Sequence, residues 1–291
     1  MLVRDSTPRA RSRGRPIVEA VKVAVLGIGA IGTLVCRTLD GRVPLLRVDR
    51  TKAPLENGTI EPVDVAIVTT KSQGTAWAAE VARRLLAKNG TVLTIQNGLG
   101  HRERLAAVLG DDRVSVGVIY VGAALEGSEL RTTGPGRVEL GRAAHVDELA
   151  AALRAGGMTA TVVDDPWPSV WRKLVGNAAV NPVSALVGVT NGALLQHLAS
   201  RIVDAAARET ARVASAEGVA IRDDEAIALW RTMAELTAAN RSSMLQDVRN
   251  GRPTEVDWIN GEVVRRGRRH GVPTPVNEAL LKMVEVLEAY P

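Results

Sequence analysis

Hydrophobic and polar positions change rhythm once along this chain. In the first half, short aliphatic runs alternate with helical stretches. Val21-Lys22-Val23-Ala24-Val25-Leu26 is a β-branched run that predicts a buried strand, and residues 33–39 follow as a helix. The same reading predicts strands at 43–48, 63–69, 91–95, 114–121 and 159–163, and helices at 76–86, 104–109 and 147–153. Gly134, Pro135 and Gly136 suggest a hairpin over 132–140.

Asp164-Asp165-Pro166-Trp167-Pro168 marks a boundary, and beyond it the apolar residues recur at helical spacing. Helices are predicted at 171–180, 201–217, 224–238, 242–248 and 277–287, with Pro182 ending or kinking the first. Another helix is entered at 254–261, with Thr254 able to cap it and Asp257 in its first turn. Residues 265–270 read as its basic, solvated face. Alternating βα units followed by helices predict an α/β fold, with a Rossmann-type dinucleotide-binding domain over 21–165 and an all-α domain over 166–291.

Composition refines this picture. A chain of 291 residues fits two domains. With 46% hydrophobic residues and no Phe, its core must be built from Ala, Val, Leu and Ile. The net charge of +5 is concentrated in Arg4, Arg9, Arg11, Arg13 and Arg15. Residues 1–20 therefore read as a disordered basic tail, with no apolar stretch that would make it a targeting signal. A nucleic-acid-binding arm is a second reading of the tail, but the nearly balanced charge elsewhere gives it little support, and no nucleic-acid partner is expected. Cys36 is the one cysteine, which excludes an internal disulfide or a multi-cysteine metal site. The four histidines show no ligand spacing, and no apolar run is long enough to span a membrane. A cytoplasmic, metal-free protein is expected.

Two features carry chemistry. The first is Gly27-Ile28-Gly29-Ala30-Ile31-Gly32, a G-x-G-x-x-G turn set between a strand and a helix. Gly27 permits the tight turn, Gly29 lets backbone approach a pyrophosphate, and Gly32 allows close helix–strand packing. At the end of the second strand, Asp49 suits a ribose hydroxyl while Arg50 and Lys52 suit a 2′-phosphate. The two basic groups tip the reading towards NADP(H). Lys71 and Asn97 also follow strand ends, where ligands bind in open α/β sheets. Gly122-Ala123-Ala124 offers small residues for close approach to a ligand.

The second feature is the helix Trp171-Arg172-Lys173-Leu174-Val175-Gly176-Asn177-Ala178-Ala179-Val180-Asn181-Pro182. Lys173, Asn177 and Asn181 fall four residues apart, on one helical face. Such a file is either a satisfied polar network in a bundle or a substrate-facing surface with Lys173 as proton donor.

The chain resembles the ketopantoate reductases (2-dehydropantoate 2-reductases), NADPH-dependent enzymes of pantothenate biosynthesis. The resemblance runs from residue 21 almost to the end. It is carried by W-R-K-L-x-x-N-x-x-x-N-P at 171–182, S-S-M-L-Q-D at 242–247 and T-E-x-D-x-I-N-G at 254–261, with the glycine loop upstream. It implies reduction of a 2-keto acid with Lys173 as the catalytic lysine. It implies substrate contacts at Asn97, Asn177, Asn181, Asn191, Asn240 and Ser243. On the cofactor side it implies Gly27 to Gly32, Arg50, Lys71, Asn97, Ala123 and Glu255, the last also able to anchor Lys173. Between Arg50 and Val63 the chain is shorter than the family pattern. Helical C-terminal domains of this type often pair, which allows a homodimer. A reductase of another branched 2-keto acid, of the D-2-hydroxyacid dehydrogenase type, and a non-catalytic dinucleotide-binding sensor are the alternatives.

Overall fold

The computed structural model describes residues 20–50, 61–127, 129–133 and 136–290. The basic tail through residue 19, Lys52, and Gly134-Pro135 lie outside the described residues.

Nine strands and ten α-helices are described. In the first half they are β1 (Val23–Leu26), α1 (Ala30–Leu39), β2 (Leu45–Val48), β3 (Val63–Val68), α2 (Thr75–Leu85), β4 (Leu86–Thr94) and α3 (His101–Leu109). Then follow β5 (Val114–Tyr120), β6 (Ala123–Glu126), β7 (Glu129–Thr132), β8 (Arg137–Gly141), α4 (Val146–Ala155) and β9 (Thr159–Val163). Seven strands form one sheet in the order β2-β1-β3-β4-β5-β8-β9. β1 to β5 are mutually parallel, and β8 joins antiparallel to β5. The chain leaves β1 towards β2 and returns to pair β3 on the other side of β1. That reversal opens a crevice beyond the carboxyl ends of the strands, where the glycine loop sits.

The expected hairpin over 132–140 does not form. β7 pairs with β6 in a separate two-stranded ribbon, while β8 pairs with β5 in the main sheet. Alternation and glycines announced two strands in sequence; which neighbour each would find depends on the sheet edge that β5 leaves open. Ala123, read as loop, begins β6 opposite Thr132.

After β9 every element is helical: α5 (Trp167–Val187), α6 (Ser200–Ala216), α7 (Asp223–Leu236), α8 (Ser243–Arg249), α9 (Val256–His270) and α10 (Pro275–Ala289). The α-helix α5 is central, and its buried Trp171, Leu174, Val175, Ala178 and Val183 pack with Trp230, Val203 and Ile259 in one core. Two further clusters cover the faces of the sheet, one built on Val25, Ile67 and Leu149, the other on Ala66, Ala82 and Leu105. Ala, Val, Leu and Ile make up most of all three, as a chain lacking Phe requires.

α5 does not stop at Pro182, which lies inside it. A proline has no N–H for the carbonyl four residues back. Here that carbonyl, Ala178 O, accepts instead from Asn260 Nδ2 at 2.8 Å. The substitution of a side-chain donor for a backbone one lets the helix run on to Val187. Asn260 also donates to Asn277 Oδ1 (2.9 Å), and Asn277 is held by the buried carboxylate of Glu209, which accepts the first N–H groups of α10.

Candidate active site

The glycine loop is shaped from within. Gly27 has φ +103°, the left-handed region, and a Cβ there would stand 2.6–2.8 Å from Thr70. A Cβ on Gly32 would lie 1.9 Å from Gly27 O, so only hydrogen lets α1 approach the turn. Gly29 is different, since a Cβ there would meet nothing within 4 Å. Open space over Gly29, at an α1 N-terminus with no side-chain cap, suits an anionic group such as a pyrophosphate. Ile28, Ala30 and Ile31 complete the loop, so the residues present fit a dinucleotide.

Lys173 stands on α5 at the junction with the sheet. Its Nζ donates to Asn97 Oδ1 at 2.8 Å and to Ile119 O, at the end of β5, at 2.7 Å. The Tyr120 ring lies 5.9 Å away. Burial pushes the Lys173 pKa down to about 8, with the charge of Glu255 opposing the fall. Gln96, Asn97, Leu99, Lys173, Leu174 and Asn177 line a cleft of about 470 Å³, its open mouth included.

Asn97 is delivered by a loop that is fixed from several sides. Gly98 (φ +89°) lets the chain turn against Trp258 O, and Leu99 N–H donates to that carbonyl at 2.9 Å. His101, buried, lies with Nε2 2.8 Å from Asn97 O and Nδ1 3.1 Å from Thr75 Oγ1, and its ring stacks flat on Trp258 at 4.6 Å. Arg104 covers the far side of that indole at 3.8 Å. Gln96 bonds Thr70 O and Thr75 Oγ1, tying this loop to the one after β3. His101, Trp258 and Gln96 were not singled out by their sequence. His101 did carry a signal, standing first after the N-G-x-G turn, where a side chain can reach back onto the turn.

The loop after β3 reaches the helical half directly. Lys71 pairs with Asp247 of α8. Ser72 gives both its N–H (2.9 Å) and its hydroxyl (2.6 Å) to Glu255 Oε1, and Gln73 Nε2 donates to Thr254 O. No hydrogen bond or ion pair joins Glu255 to Lys173 among the described residues; Ser72 holds one carboxylate oxygen, and the Glu255 charge still acts on the lysine. Burial pushes the Asp247 carboxyl up, against the pull of Lys71. Thr254 does not cap α9: Glu255 is the N-cap residue, and Thr254, one position earlier, accepts from Val256 N at 3.2 Å.

The remaining residues divide. Asn177 faces the cleft with Lys173. Asn181 lies two turns further along α5, about 12 Å of axial rise from Lys173. It is buried, and its side chain has no hydrogen-bond partner among the described residues. Asn191 Nδ2 donates to Thr237 Oγ1 at 2.9 Å, while its Oδ1 is buried without a partner. Asn240 passes its backbone carbonyl to Asn191 N, and its side chain lies against Gly122. Ser243 is exposed, and it is the neighbouring Ser242 that is buried and caps α8, accepting from Leu245 N at 3.1 Å. Asn181, Asn191, Asn240 and Ser243 do not line the cleft at Lys173. Arg50 is exposed just past the end of β2, and Gly27 N–H donates to Val48 O beside it.

The basic stretch 265–270 is not a solvated face throughout. Arg266 is 5% exposed and pairs with Glu217, Glu262 and Glu103, the last from α3 across the junction. Glu262 is a neighbour on α9 itself, but Glu103 and Glu217 reach Arg266 from α3 and the end of α6, which helical spacing along α9 does not reveal.

Residues 46–145 match the family model described as ketopantoate reductase PanE/ApbA, and residues 166–288 match that of its C-terminal part. A 2-dehydropantoate 2-reductase from Halobacterium salinarum is 37% identical over 249 residues, covering 83% of this chain and 82% of its own. Another from Archaeoglobus fulgidus is 31% identical, covering 92% and 98%. Among solved structures, D-mandelate dehydrogenase with NADH and anilino(oxo)acetate superposes with a TM-score of 0.82 at 25% identity, covering 92% of this chain and 98% of that one. A PanE/ApbA family ketopantoate reductase from Ralstonia eutropha gives 0.78 at 28%, with the same coverage. The fold, the dinucleotide loop and these likenesses together show that the chain belongs to the ketopantoate reductase family, oxidoreductases that use a nicotinamide dinucleotide.

Proposed function

We propose that the protein reduces 2-dehydropantoate to (R)-pantoate with NADPH, in pantothenate biosynthesis in the cytoplasm, with Lys173 as general acid. The observation that carries this reading is the double grip of Asn97 Oδ1 and Ile119 O on a desolvated ammonium. Both acceptors fix where the third N–H of Lys173 can point. A pKa near 8 leaves the group protonated at neutral pH yet able to release its proton.

The cofactor would be held by Gly27 to Gly32, with Arg50 at the adenosine 2′-phosphate and Lys71, Ala123 and Glu255 along the cleft. Bound there, it supplies the hydride. Lys173 places positive charge against the ketone oxygen as negative charge develops, then gives up its proton to the alkoxide. Asn97 and Asn177 orient substrate and lysine. Asn181, Asn191, Asn240 and Ser243, all on the helical half, bind the substrate hydroxyl and carboxylate. In this reading the chain divides at Asp165/Pro166 into a dinucleotide domain and a substrate domain, and the family-model boundary at 166 supports that division. Two copies pair through the helical half, which leaves Leu198 94% and Leu236 82% exposed.

A second substrate reading is favoured by one observation. The D-mandelate dehydrogenase superposes as well as any ketopantoate reductase described above. NADPH and NADH oxidation measured with 2-dehydropantoate, benzoylformate and a small set of branched 2-keto acids tests both. A higher kcat/KM for 2-dehydropantoate with NADPH supports the first, and a clear preference for another keto acid replaces it.

A further inference from the structure

The reaction proposed above needs Asn97 to face Lys173, and nothing in Asn97 alone fixes that orientation. We propose that His101 is a positioning residue that holds the Asn97 carbonyl and thereby keeps the Asn97 side chain on Lys173. This rests on the reading of Lys173 as proton donor.

The geometry is a short chain of contacts. Asn97 O can only accept, so the nitrogen 2.8 Å from it, His101 Nε2, must carry the proton. His101 Nδ1 is then the acceptor facing Thr75 Oγ1 at 3.1 Å. The ring cannot rotate, because it lies at 5° to the Trp258 indole. Trp258 in turn receives the Leu99 N–H. Residues 97 and 99 of the turn are thus pinned by one stacked pair, on either side of a glycine in the left-handed region. Asn97 Oδ1, at the other end of the same residue, is one of two acceptors for Lys173 Nζ. Glu103 and Arg104 of α3 and Glu255 before α9 are the charged groups that act on the ring, and none of them hydrogen-bonds it. Burial pushes the His101 pKa down, which favours the neutral form.

A buried histidine often serves stability alone. Here the distinguishing fact is where its donor goes. If the Nε2 proton is removed, Asn97 O is orphaned, the Asn97 side of the turn loses its hold while Leu99 stays on Trp258 O, and the ammonium loses an acceptor. An acceptor favours the charged form, so its loss lowers the Lys173 pKa further.

The test uses the full chain with H101F, H101Q and H101N. Phe keeps the stack on Trp258 without an N–H. Gln restores an amide N–H towards Asn97 O. Asn reaches the Thr75 side only. Two readouts are needed: kcat, KM and the pH profile with the best keto acid, and the pKa of the Lys173 amine from its rate of acylation across pH, followed by mass spectrometry. In H101F we expect kcat to fall about tenfold or more with KM nearly unchanged, and the Lys173 pKa to fall below its wild-type value. H101Q should recover most of both. An unchanged Lys173 pKa in H101F, or equal behaviour of H101F and H101Q, overturns the proposal. If H101F fails to fold, H101Q and H101N decide, and equal rates and equal lysine pKa values in those two overturn it. If the wild type reduces no keto acid, the proposed function fails, while the acylation measurement still decides whether His101 positions Asn97 against Lys173.

Discussion

Asn260 Nδ2 donates to Ala178 O at 2.8 Å, in the place of the N–H that Pro182 lacks. This contact joins α9 to the helix that carries Lys173, Asn177 and Asn181, and lets that helix continue past a proline. Asn260→Leu removes the donor and leaves two buried acceptors, Ala178 O and Asn277 Oδ1, without it. A loss of about 2–3 kcal/mol is expected, read as a lower urea midpoint at unchanged slope. A change under about 0.5 kcal/mol would show that the proline is accommodated some other way.

Two substitutions in the glycine loop should separate folding from binding. Gly32→Ala sets a methyl on Gly27 O and should destabilise the protein, seen as a lower Tm. Gly29→Ala points its methyl into open space and should leave the Tm nearly unchanged. It should nevertheless weaken dinucleotide binding about tenfold or more, because the methyl occupies the approach of the pyrophosphate. Fluorescence titration with NADPH checks the second arm. Unaltered affinity in Gly29→Ala would place the cofactor elsewhere.

Sequence reading recovered the alternation of strands and helices because each buried element states its own period, 2 or 3.6, locally. It brought Lys173 and Asn97 forward because their types and places are chemically marked, and the two side chains lie in contact. It did not foresee the continuation of α5 past Pro182 to Val187, the pairing of β8 with β5, or the burial of Arg266. Each of these depends on a partner distant along the chain: Asn260 for the first, an open sheet edge for the second, and Glu103 and Glu217 for the third. Glu255 shows the same limit. Its charge was legible, but Ser72, 183 residues away, decides which groups it meets.

Arg266 offers a test of the junction. It is buried among Glu103, Glu217 and Glu262. Arg266→Met leaves Glu262 with Arg265 alone and Glu217 with His270 alone, both carboxylates largely buried, and should cost about 2–3 kcal/mol. Glu103 is half exposed, so Glu103→Gln should cost at most about 1 kcal/mol. Equal effects in denaturant unfolding would mean that the network acts as a surface pair.

In the proposed function the choice of dinucleotide turns on the end of β2, where Asp49 and Arg50 are adjacent. If Arg50 meets a 2′-phosphate, Arg50→Ala should raise the KM for NADPH about tenfold and leave that for NADH unchanged. Parallel changes for the two cofactors would remove Arg50 from that role and leave Asp49, an acid suited to a ribose diol, as the determinant.

The most direct measurement is the pH dependence of 2-dehydropantoate reduction by the wild type and by Lys173→Ala. The general acid must be protonated, and burial holds its pKa near 8. The wild-type rate should therefore be constant below about pH 7 and fall tenfold per pH unit well above 8. Lys173→Ala should lose about 10²-fold or more in kcat at pH 7, lose that basic limb, and still bind NADPH. A variant that keeps near wild-type turnover, or that keeps the same limb near pH 8, would contradict the assignment of Lys173 as the proton donor.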